Sequence, residues 1–148
     1  MTPAFNEIEF HPWVGASTLE LVRWCRSQGI VVIVYGSLGG SKNRNRGAQG
    51  AVAAVAAAHN ATSVQVLLQW AIQQGVVCIP GATSEPHIAE NLQLALRPTW
   101  RLTESKSHAI ASSSAPKSFK RWKGLCAEDD TSGAAGGGKL LGSCRPSV

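Results

Sequence analysis

The chain lacks most of the features that would define its class at a glance. Among its 148 residues there is one tyrosine and one methionine, and no apolar run approaches the roughly 20 residues that span a membrane. The N-terminal stretch MTPAFNEIEFHP has neither the basic region nor the apolar region of a secretory signal. These absences favour a cytoplasmic location, and we expect no membrane among its partners.

The cysteines also lack a recognisable pattern. Cys25, Cys78, Cys126 and Cys144 are scattered, with no CxxC pair and no spacing typical of metal ligands. Scattered cysteines of this kind are usually reduced thiols in a cytosolic protein. The sequence therefore predicts neither a disulfide framework nor a metal site.

The positive charge is modest and is concentrated near the C-terminus. The formal net charge is +5, and residues 112–148 carry six basic residues against three acidic ones. No helix presents a basic face, and a charged tail is usually only solvated. We therefore expect no nucleic acid among the partners.

The composition changes near residue 111. Residues 112–148 are rich in serine, glycine and alanine and have no sustained hydrophobic period. Such a segment buries too little apolar surface to offset its chain entropy, so we predict a disordered, low-complexity tail. Its basic stretch KSFKRWKG is an alternative contact site for a membrane or RNA.

Residues 1–111 alternate between strand-like and helix-like periods. Short apolar runs typical of strands cover Phe5–Phe10, Ile30–Tyr35 and Val76–Ile79, with helical stretches between and after them. Because Ile30–Tyr35 is continuously apolar, we expect a parallel strand that is covered on both faces. The alternation predicts a parallel α/β domain, either a barrel or a doubly wound sheet.

Four stretches together resemble the C-terminal half of an aldo-keto reductase: FNEIEFHPWV, GIVVIVYGSLGG, SVQVLLQWAIQQGVVCIPGAT and HIAENLQ. They follow one another in the family's order. The family is a (β/α)8 barrel that reduces carbonyl compounds with NADPH at the carboxyl ends of its strands. The resemblance implies an α/β fold in which residues 1–111 form the C-terminal half of this TIM barrel, about four βα units, followed by the tail.

The strand VVIVY and the loop after it resemble the family's cofactor site. Tyr35 looks like the tyrosine whose ring stacks on the nicotinamide. Gly36, Ser37, Leu38 and Gly39 resemble the loop whose backbone N–H groups meet the pyrophosphate. The family commonly has Ser-Pro-Leu-Gly here, so the first two residues of this loop depart from the pattern. Taken alone, the stretch also fits an interface tyrosine followed by an ordinary glycine loop.

Three further positions resemble cofactor contacts. Asn6 is similar to the asparagine that, with a following glutamine, holds the nicotinamide carboxamide; the next residue here is Glu7, which lacks the amide donor. Glu90 and Asn91 look like the adenine-contacting pair. A solvated helix face is the alternative interpretation of that pair.

The segment that reads the 2′-phosphate of NADPH departs most from the family. Where NADPH-specific members often have Ile-Pro-Lys-Ser and then an arginine, this chain has Ile-Pro-Gly-Ala from residue 79 and then His87. Lysine and arginine normally meet such a phosphate because of their charge. Thr83, Ser84 and the helix N-terminus remain as weaker anion donors.

Three basic residues of the long loop, Lys42, Arg44 and Arg46, are a second source of charge for that phosphate. A charge run is more often simply solvated. The resemblance therefore implies NADP as the cofactor, with NAD as the alternative.

The proton donor is what this chain does not supply. Carbonyl reduction in the family needs a tyrosine acid, a lysine, an aspartate and a histidine, all from the first half of the barrel. The only tyrosine here is Tyr35, which is already assigned to the cofactor. We therefore assign no catalytic residue and expect an N-terminally truncated reductase of small-molecule carbonyls that is inactive alone.

Two other hypotheses stay open. The chain could be a non-catalytic remnant that binds a nucleotide or a protein, because a half-barrel has unpaired edge strands that favour association, including self-association. It could also be an unrelated doubly wound domain. Against the latter, no GxGxxG opens a helix after a strand.

Overall fold

The structure is a computed structural model that describes residues 1–40, 43, 47, 49–96 and 100–112. The basic loop residues Lys42, Arg44 and Arg46 lie outside the described residues. So does the predicted disordered tail, apart from Ser112, which ends the last helix.

Strands and helices alternate along the described chain, as the sequence predicts. In chain order the elements are β1 (Phe5–Glu9), α1 (Ala16–Ser27), β2 (Val31–Tyr35), α2 (Gly50–His59), α3 (Ser63–Gln73), β3 (Val77–Cys78), α4 (Glu85–Leu96) and α5 (Glu104–Ser112). The described residues thus contain three strands, where the family resemblance implied about four βα units.

The three strands form one parallel sheet in the order β1-β2-β3. Phe5 is opposite Val31 and Glu9 is opposite Tyr35 in the first pair, while Ile33 is opposite Val77 in the second. Parallel neighbours need a crossover of about a dozen or more residues. Helix α1 is the first crossover, and α2 together with α3 is the second. The predicted parallel α/β architecture is confirmed.

Local signals fix where α3 begins. The Thr62 hydroxyl accepts a hydrogen bond from the Gln65 backbone N–H at 3.1 Å, and the Gln65 side chain accepts one from the Thr62 N–H at 3.1 Å. This reciprocal arrangement is a capping box, which satisfies two N–H groups that the helix itself leaves without partners. Helix α3 therefore begins directly after Thr62.

The hydrophobic core lies between one face of the sheet and the helices. Phe10 and Trp70 are both fully buried, and their rings stack with centroids 5.2 Å apart. The Trp70 indole Nε1–H donates to the Ser107 carbonyl at 3.2 Å, which ties α3 to α5. Val32 and Val34 of β2 point into the same cluster. The helices and the sheet thus share one core.

The opposite face of the sheet, which we call the open face, is less buried within the described chain. Phe5, Val31, Tyr35, Val77 and Ile79 are each about half exposed. The expectation that Ile30–Tyr35 is covered on both faces therefore holds for one face only within the described chain. The physical reason is that α1, α2, α3 and α5 each contribute buried side chains to the core cluster on one side of the sheet.

No single helix in the described part of the chain is both long and apolar enough to cross a membrane. The pair α2 and α3 passes the same test by length and composition, with a bend of 98° between its two helices.

Candidate functional site

The candidate site lies at the carboxyl edge of the sheet, where β1 and β2 end side by side. The Phe10 N–H donates to the Tyr35 carbonyl at 3.1 Å, which locks the two strand ends together. The Tyr35 side chain is 48% exposed and belongs to the open face. Its ring is thus available to a planar ligand, and the hydrogen bonds between β1 and β2 hold its backbone in place.

The glycine loop that follows Tyr35 has a backbone that few other residues adopt. Gly36, Gly39 and Gly40 have φ values of 63°, 90° and 60°, in the left-handed region that favours glycine. The Gly39 N–H donates to the Gly36 carbonyl at 2.8 Å, so this N–H is committed to the turn. A Cβ on Gly39 would lie 2.5 Å from Cζ3 of Trp13. The loop is therefore both turned and packed closely on an indole ring.

Ser37 is buried, which separates its hydroxyl from the open face. Its Oγ–H donates to the Val34 carbonyl at 3.5 Å. Burial raises the pKa of the Cys78 thiol from its usual value of 9.0, and a hydrogen bond from Ser37 offsets part of that rise. Ser37 thus joins the ends of β2 and β3, and only its backbone can serve a ligand. Leu38 packs against the core cluster.

A carboxylate and an imidazole border the glycine loop, and sequence reasoning did not assign them a role. The His11 Nδ1 accepts a hydrogen bond from the Trp13 N–H at 3.1 Å, so Nε2 carries the proton of the neutral ring. That Nε2 lies 3.6 Å from Oε1 of Glu9. The same Oε1 would lie 3.5 Å from a Cβ on Gly36. The alternation of FNEIEF, which puts Glu7 and Glu9 on one face, was the available signal.

Asn6 lies on the other side of the sheet from Tyr35. Its Nδ2–H donates to the Sγ of the buried Cys25 on α1, 3.6 Å away. Strand residues alternate between faces, and Glu9 is the ladder partner of Tyr35, so Glu7 shares the open face and Asn6 does not. The Asn6 side chain is therefore on the opposite side of the sheet from the Tyr35 ring, and its contact with the nicotinamide carboxamide stays a prediction.

The four candidate residues after β3 lie around α4. The Ser84 carbonyl accepts from the Ile88 N–H at 3.0 Å, which makes Ser84 the residue that precedes the first turn, next to the exposed Thr83. Both follow the carboxyl end of β3 and so lie at the same edge of the sheet as the glycine loop. Glu90 and Asn91 are half-buried a turn and a half further on, and the Glu90 carbonyl accepts from the Gln65 side chain at 3.4 Å.

The groups at this edge suit the ring and the pyrophosphate of a nicotinamide dinucleotide. They comprise a half-exposed phenol ring, a left-handed glycine loop and the N-terminus of a 12-residue helix, which favours anions. Residues 79–91 contain no lysine or arginine, and His87 is exposed. Among the described residues, no group of three or more histidine, cysteine or acidic side chains could hold a metal ion.

A parallel β/α sheet with a candidate site at the carboxyl ends of its strands is shared by β/α-barrel and doubly wound proteins. Residues 1–113 match the model of the aldo/keto reductase family, and the chain belongs to that family. Solved structures that resemble it have TM-scores of 0.61–0.65. One of them, Gox0644 D53A in complex with NADPH, is 25% identical and has a TM-score of 0.61. It covers 74% of this chain, which covers 37% of it.

Two curated relatives show the extent of the match. An aldo-keto reductase of Mycobacterium sp. (strain MCS) is 40% identical over 93 residues, which are 63% of this chain and 31% of the relative. An NAD/NADP-dependent indole-3-acetaldehyde reductase of Schizosaccharomyces pombe is 40% identical over 83 residues, 53% of this chain and 28% of the relative. The chain thus spans about 30% of the length of the curated relatives it matches.

Proposed function

We propose that this chain forms the cofactor-binding part of an NAD(P)H-dependent reductase of small-molecule aldehydes or ketones. The observation that carries the proposal is the half-exposed Tyr35 ring at the end of β2, next to a glycine loop with three left-handed residues. A flat aromatic ring and a bare backbone at one strand end are what a nicotinamide ring and its pyrophosphate require.

The chain's own residues would bind and orient the cofactor, which supplies a hydride when bound. Tyr35 contacts one face of the nicotinamide and leaves the other face for the substrate. Apart from the Gly39 N–H, which is bonded to the Gly36 carbonyl, the Gly36–Gly40 loop and the start of α4 present backbone N–H groups to the phosphates. Glu9 lies beside this loop, and its negative charge repels a phosphate bound there. A cation next to Glu9 would therefore strengthen phosphate binding. His11, when protonated, is one such cation.

We further propose that the chain does not reduce carbonyls by itself. Reduction needs a proton donor at the carbonyl oxygen, and the one tyrosine of this chain is used at the nicotinamide. A complementary segment has to supply the acid and the remaining wall of the substrate pocket. The fact that the chain spans about 30% of its curated relatives supports this requirement.

We propose NADP as the cofactor, with NAD accepted as well. The NADPH complex of a structural neighbour supports the first. The NAD/NADP-dependent reductase of Schizosaccharomyces pombe supports the second, as does the lack of lysine and arginine in residues 79–91. A cytoplasmic location without membrane or nucleic-acid partners completes the proposal.

The test joins the full chain to the part of the Mycobacterium reductase that it does not match. NADPH and NADH are titrated by quenching of tryptophan fluorescence. We expect Tyr35→Ala to weaken both affinities about tenfold, because an aromatic stack contributes on the order of 1 kcal/mol, and Tyr35→Phe to bind like the parent. Val31→Ala, at the other end of the same strand face, is the matched control.

The unfused chain is assayed with NADPH and 4-nitrobenzaldehyde, and we expect no turnover above a Tyr35→Phe control. Turnover by the chain alone would overturn the assignment of Tyr35 to the cofactor. Equal affinities of the parent and Tyr35→Ala chimeras would overturn the proposed binding site.

A second candidate function is a non-catalytic module that binds a nucleotide or another protein. The half-exposed apolar face of the sheet favours it, because monomeric domains rarely leave such a face uncovered. The two candidates differ in the chimera: a reductase turns over the aldehyde once complemented, and a binding module does not.

A further inference from the structure

A cavity of about 460 Å³ lies among the helices, and none of its lining residues belongs to the candidate cofactor site. Residues of α1 and α5 form its two walls, and residues of α3 form its floor. Helix α3 is bonded to both walls: the Arg26 guanidinium donates to the Gln74 carbonyl at 3.0 Å, and Trp70 donates to Ser107. Pockets that hold small molecules have volumes of about 300–1,000 Å³, so this cavity is large enough for such a ligand.

The floor of the cavity is apolar and is held in place by hydrogen bonds. Its apolar side chains are Leu19, Trp70, Leu102 and Ala111. The Trp70 indole N–H is already bonded to the Ser107 carbonyl, 3.2 Å away. The Gln73 amide pairs with both backbone groups of Leu102: its Nε2–H donates to the carbonyl at 3.1 Å, and its Oε1 accepts from the N–H at 2.7 Å. A ligand on this floor therefore meets mainly apolar surface that is ordered in advance.

Two opposite charges border this floor on different helices. Arg23 of α1 and Glu104 of α5 both line the cavity, and both residues are exposed. Neither side chain forms an ion pair or a hydrogen bond with another residue of the described chain. A guanidinium presents a planar fork of donors that matches a carboxylate, and a carboxylate accepts charge-assisted hydrogen bonds from an ammonium group. The rim is therefore complementary to a ligand that carries both groups.

A ligand with a single charge matches this rim less well. Arg23 attracts an anion that Glu104 repels, and the two effects are reversed for a cation. The Gln74 amide, which also lines the cavity, donates and accepts hydrogen bonds and so favours neither sign. Because α3 lies between the two walls, the rim suits charges that are farther apart than the ammonium and the carboxylate of one amino acid. A dipeptide has this separation.

We propose that this cavity binds a zwitterionic dipeptide with aliphatic side chains. The carboxylate of the dipeptide pairs with Arg23, its ammonium group pairs with Glu104, and its side chains cover Trp70 and Leu102. The site shares no residue with the candidate cofactor site. Its test therefore needs neither cofactor nor turnover, and its outcome is independent of the proposed reductase function.

The first experiment titrates the full chain with leucylleucine at about pH 8, at which an ordinary histidine is neutral, so that His108 of the cavity adds no charge. Indole N–H signals are followed by proton–nitrogen NMR, and the Trp70 signal is identified by its nuclear Overhauser contacts with Ser107. We expect this signal to shift saturably, while the signal of Trp24, which does not line the cavity, stays unchanged. No saturable shift of the Trp70 signal up to the solubility limit of the dipeptide would overturn the proposal.

Two modified dipeptides each remove one of the ligand charges. N-acetyl-leucylleucine has no ammonium group, and leucylleucine amide has no carboxylate. We expect each to bind the wild-type chain at least about threefold more weakly than leucylleucine, which is the effect of one exposed charge pair. If both modified forms bind as tightly as leucylleucine, the cavity accepts any apolar molecule of this size and the proposed pairing is wrong.

Two neutral variants assign each charge of the ligand to its partner. We expect Glu104→Gln to bind leucylleucine at least about threefold more weakly than the wild-type chain, and to bind the acetylated dipeptide no more weakly. Arg23→Gln should show the same pattern with the amidated dipeptide. Glu20→Gln and Arg101→Gln are matched controls on exposed residues that do not line the cavity, and they should bind like the wild-type chain. Equal losses in the controls would show a general charge effect and contradict the proposed site.

Discussion

The two faces of the three-stranded sheet come from the same strands and yet differ strongly in solvent exposure. On the helix side, Val32, Val34 and Phe10 are essentially inaccessible to solvent. On the other side, Val31 and Tyr35 of the same strand are about half exposed. The sequence of β2 is apolar on both sides, so within this strand the difference in exposure does not arise from hydrophobicity. It arises from α1, α2, α3 and α5, which each contribute buried side chains to the core on one side of the sheet.

From this comparison we expect that one face stabilises the fold and that the other face carries the proposed cofactor site. On the covered face, side chains of this chain pack against one another, as in the Phe10–Trp70 stack and the contact of Ser37 with Cys78. The open face holds Tyr35 and Glu9, beside the glycine loop. Substitutions on the two faces should therefore affect different measurements.

The largest expected difference is in the free energy of unfolding that is lost when each of two tryptophans is replaced by alanine. Trp70→Ala removes a fully buried ring and its hydrogen bond to Ser107, and should lower the free energy of unfolding by about 3–5 kcal/mol. Trp24→Ala, on the exposed side of α1, should cost less than about 1 kcal/mol, since surface changes are usually small. Urea unfolding followed by circular dichroism gives both values. Similar losses for the two variants would contradict the division into a covered and an open region.

A sharper version of the comparison uses two valines of one strand. Val34→Ala should lower the free energy of unfolding by about 2 kcal/mol, because two buried methyl groups and some packing are lost. Val31→Ala, half exposed on the open face, should cost about half as much or less. The same urea titrations measure this pair. A loss at Val31 that equals the loss at Val34 would mean that the open face is covered in the isolated chain.

The smallest expected effect is a pH dependence from the covered side of β3. Burial raises the pKa of the Cys78 thiol above 9.0, so the unfolded chain releases this proton at a lower pH than the folded chain does. Stability from this thiol is complete below about pH 9 and is lost as the pH rises through the higher folded value. Urea unfolding between pH 7 and 10 under reducing conditions should show a steeper decline for the wild-type chain than for Cys78→Ala. Parallel declines would show that the thiol does not contribute.

Local sequence signals predicted much of the fold. The strand positions and the start of α3 follow from hydrophobic period and from the Thr62–Gln65 capping box, because these depend on residues close in the chain. The number of strands in one sheet and the side on which the helices pack depend on contacts between distant residues. That is why the expectation of a strand covered on both faces was only half right.

The candidate site was predicted in part for the same reason. Tyr35 and the glycines after it are contiguous, so their likeness to a cofactor loop is visible in the sequence. The neighbourhood of Glu9, His11 and Gly36 joins two strand ends that are more than 20 residues apart in the chain. Only the ladder that pairs Glu9 with Tyr35 brings these groups together.

The sequence by itself determined the alternation of strands and helices, the family motifs, and the position of one tyrosine at the end of a strand, directly before a glycine-rich loop. The tertiary structure decided what each side chain faces: Asn6 turns to Cys25, Ser37 is buried beside Cys78, and Glu7 and Glu9 stay on the open side with Tyr35. The period of two along a strand fixes which residues share a face. Only the packing of the helices selects which of the two faces becomes the core.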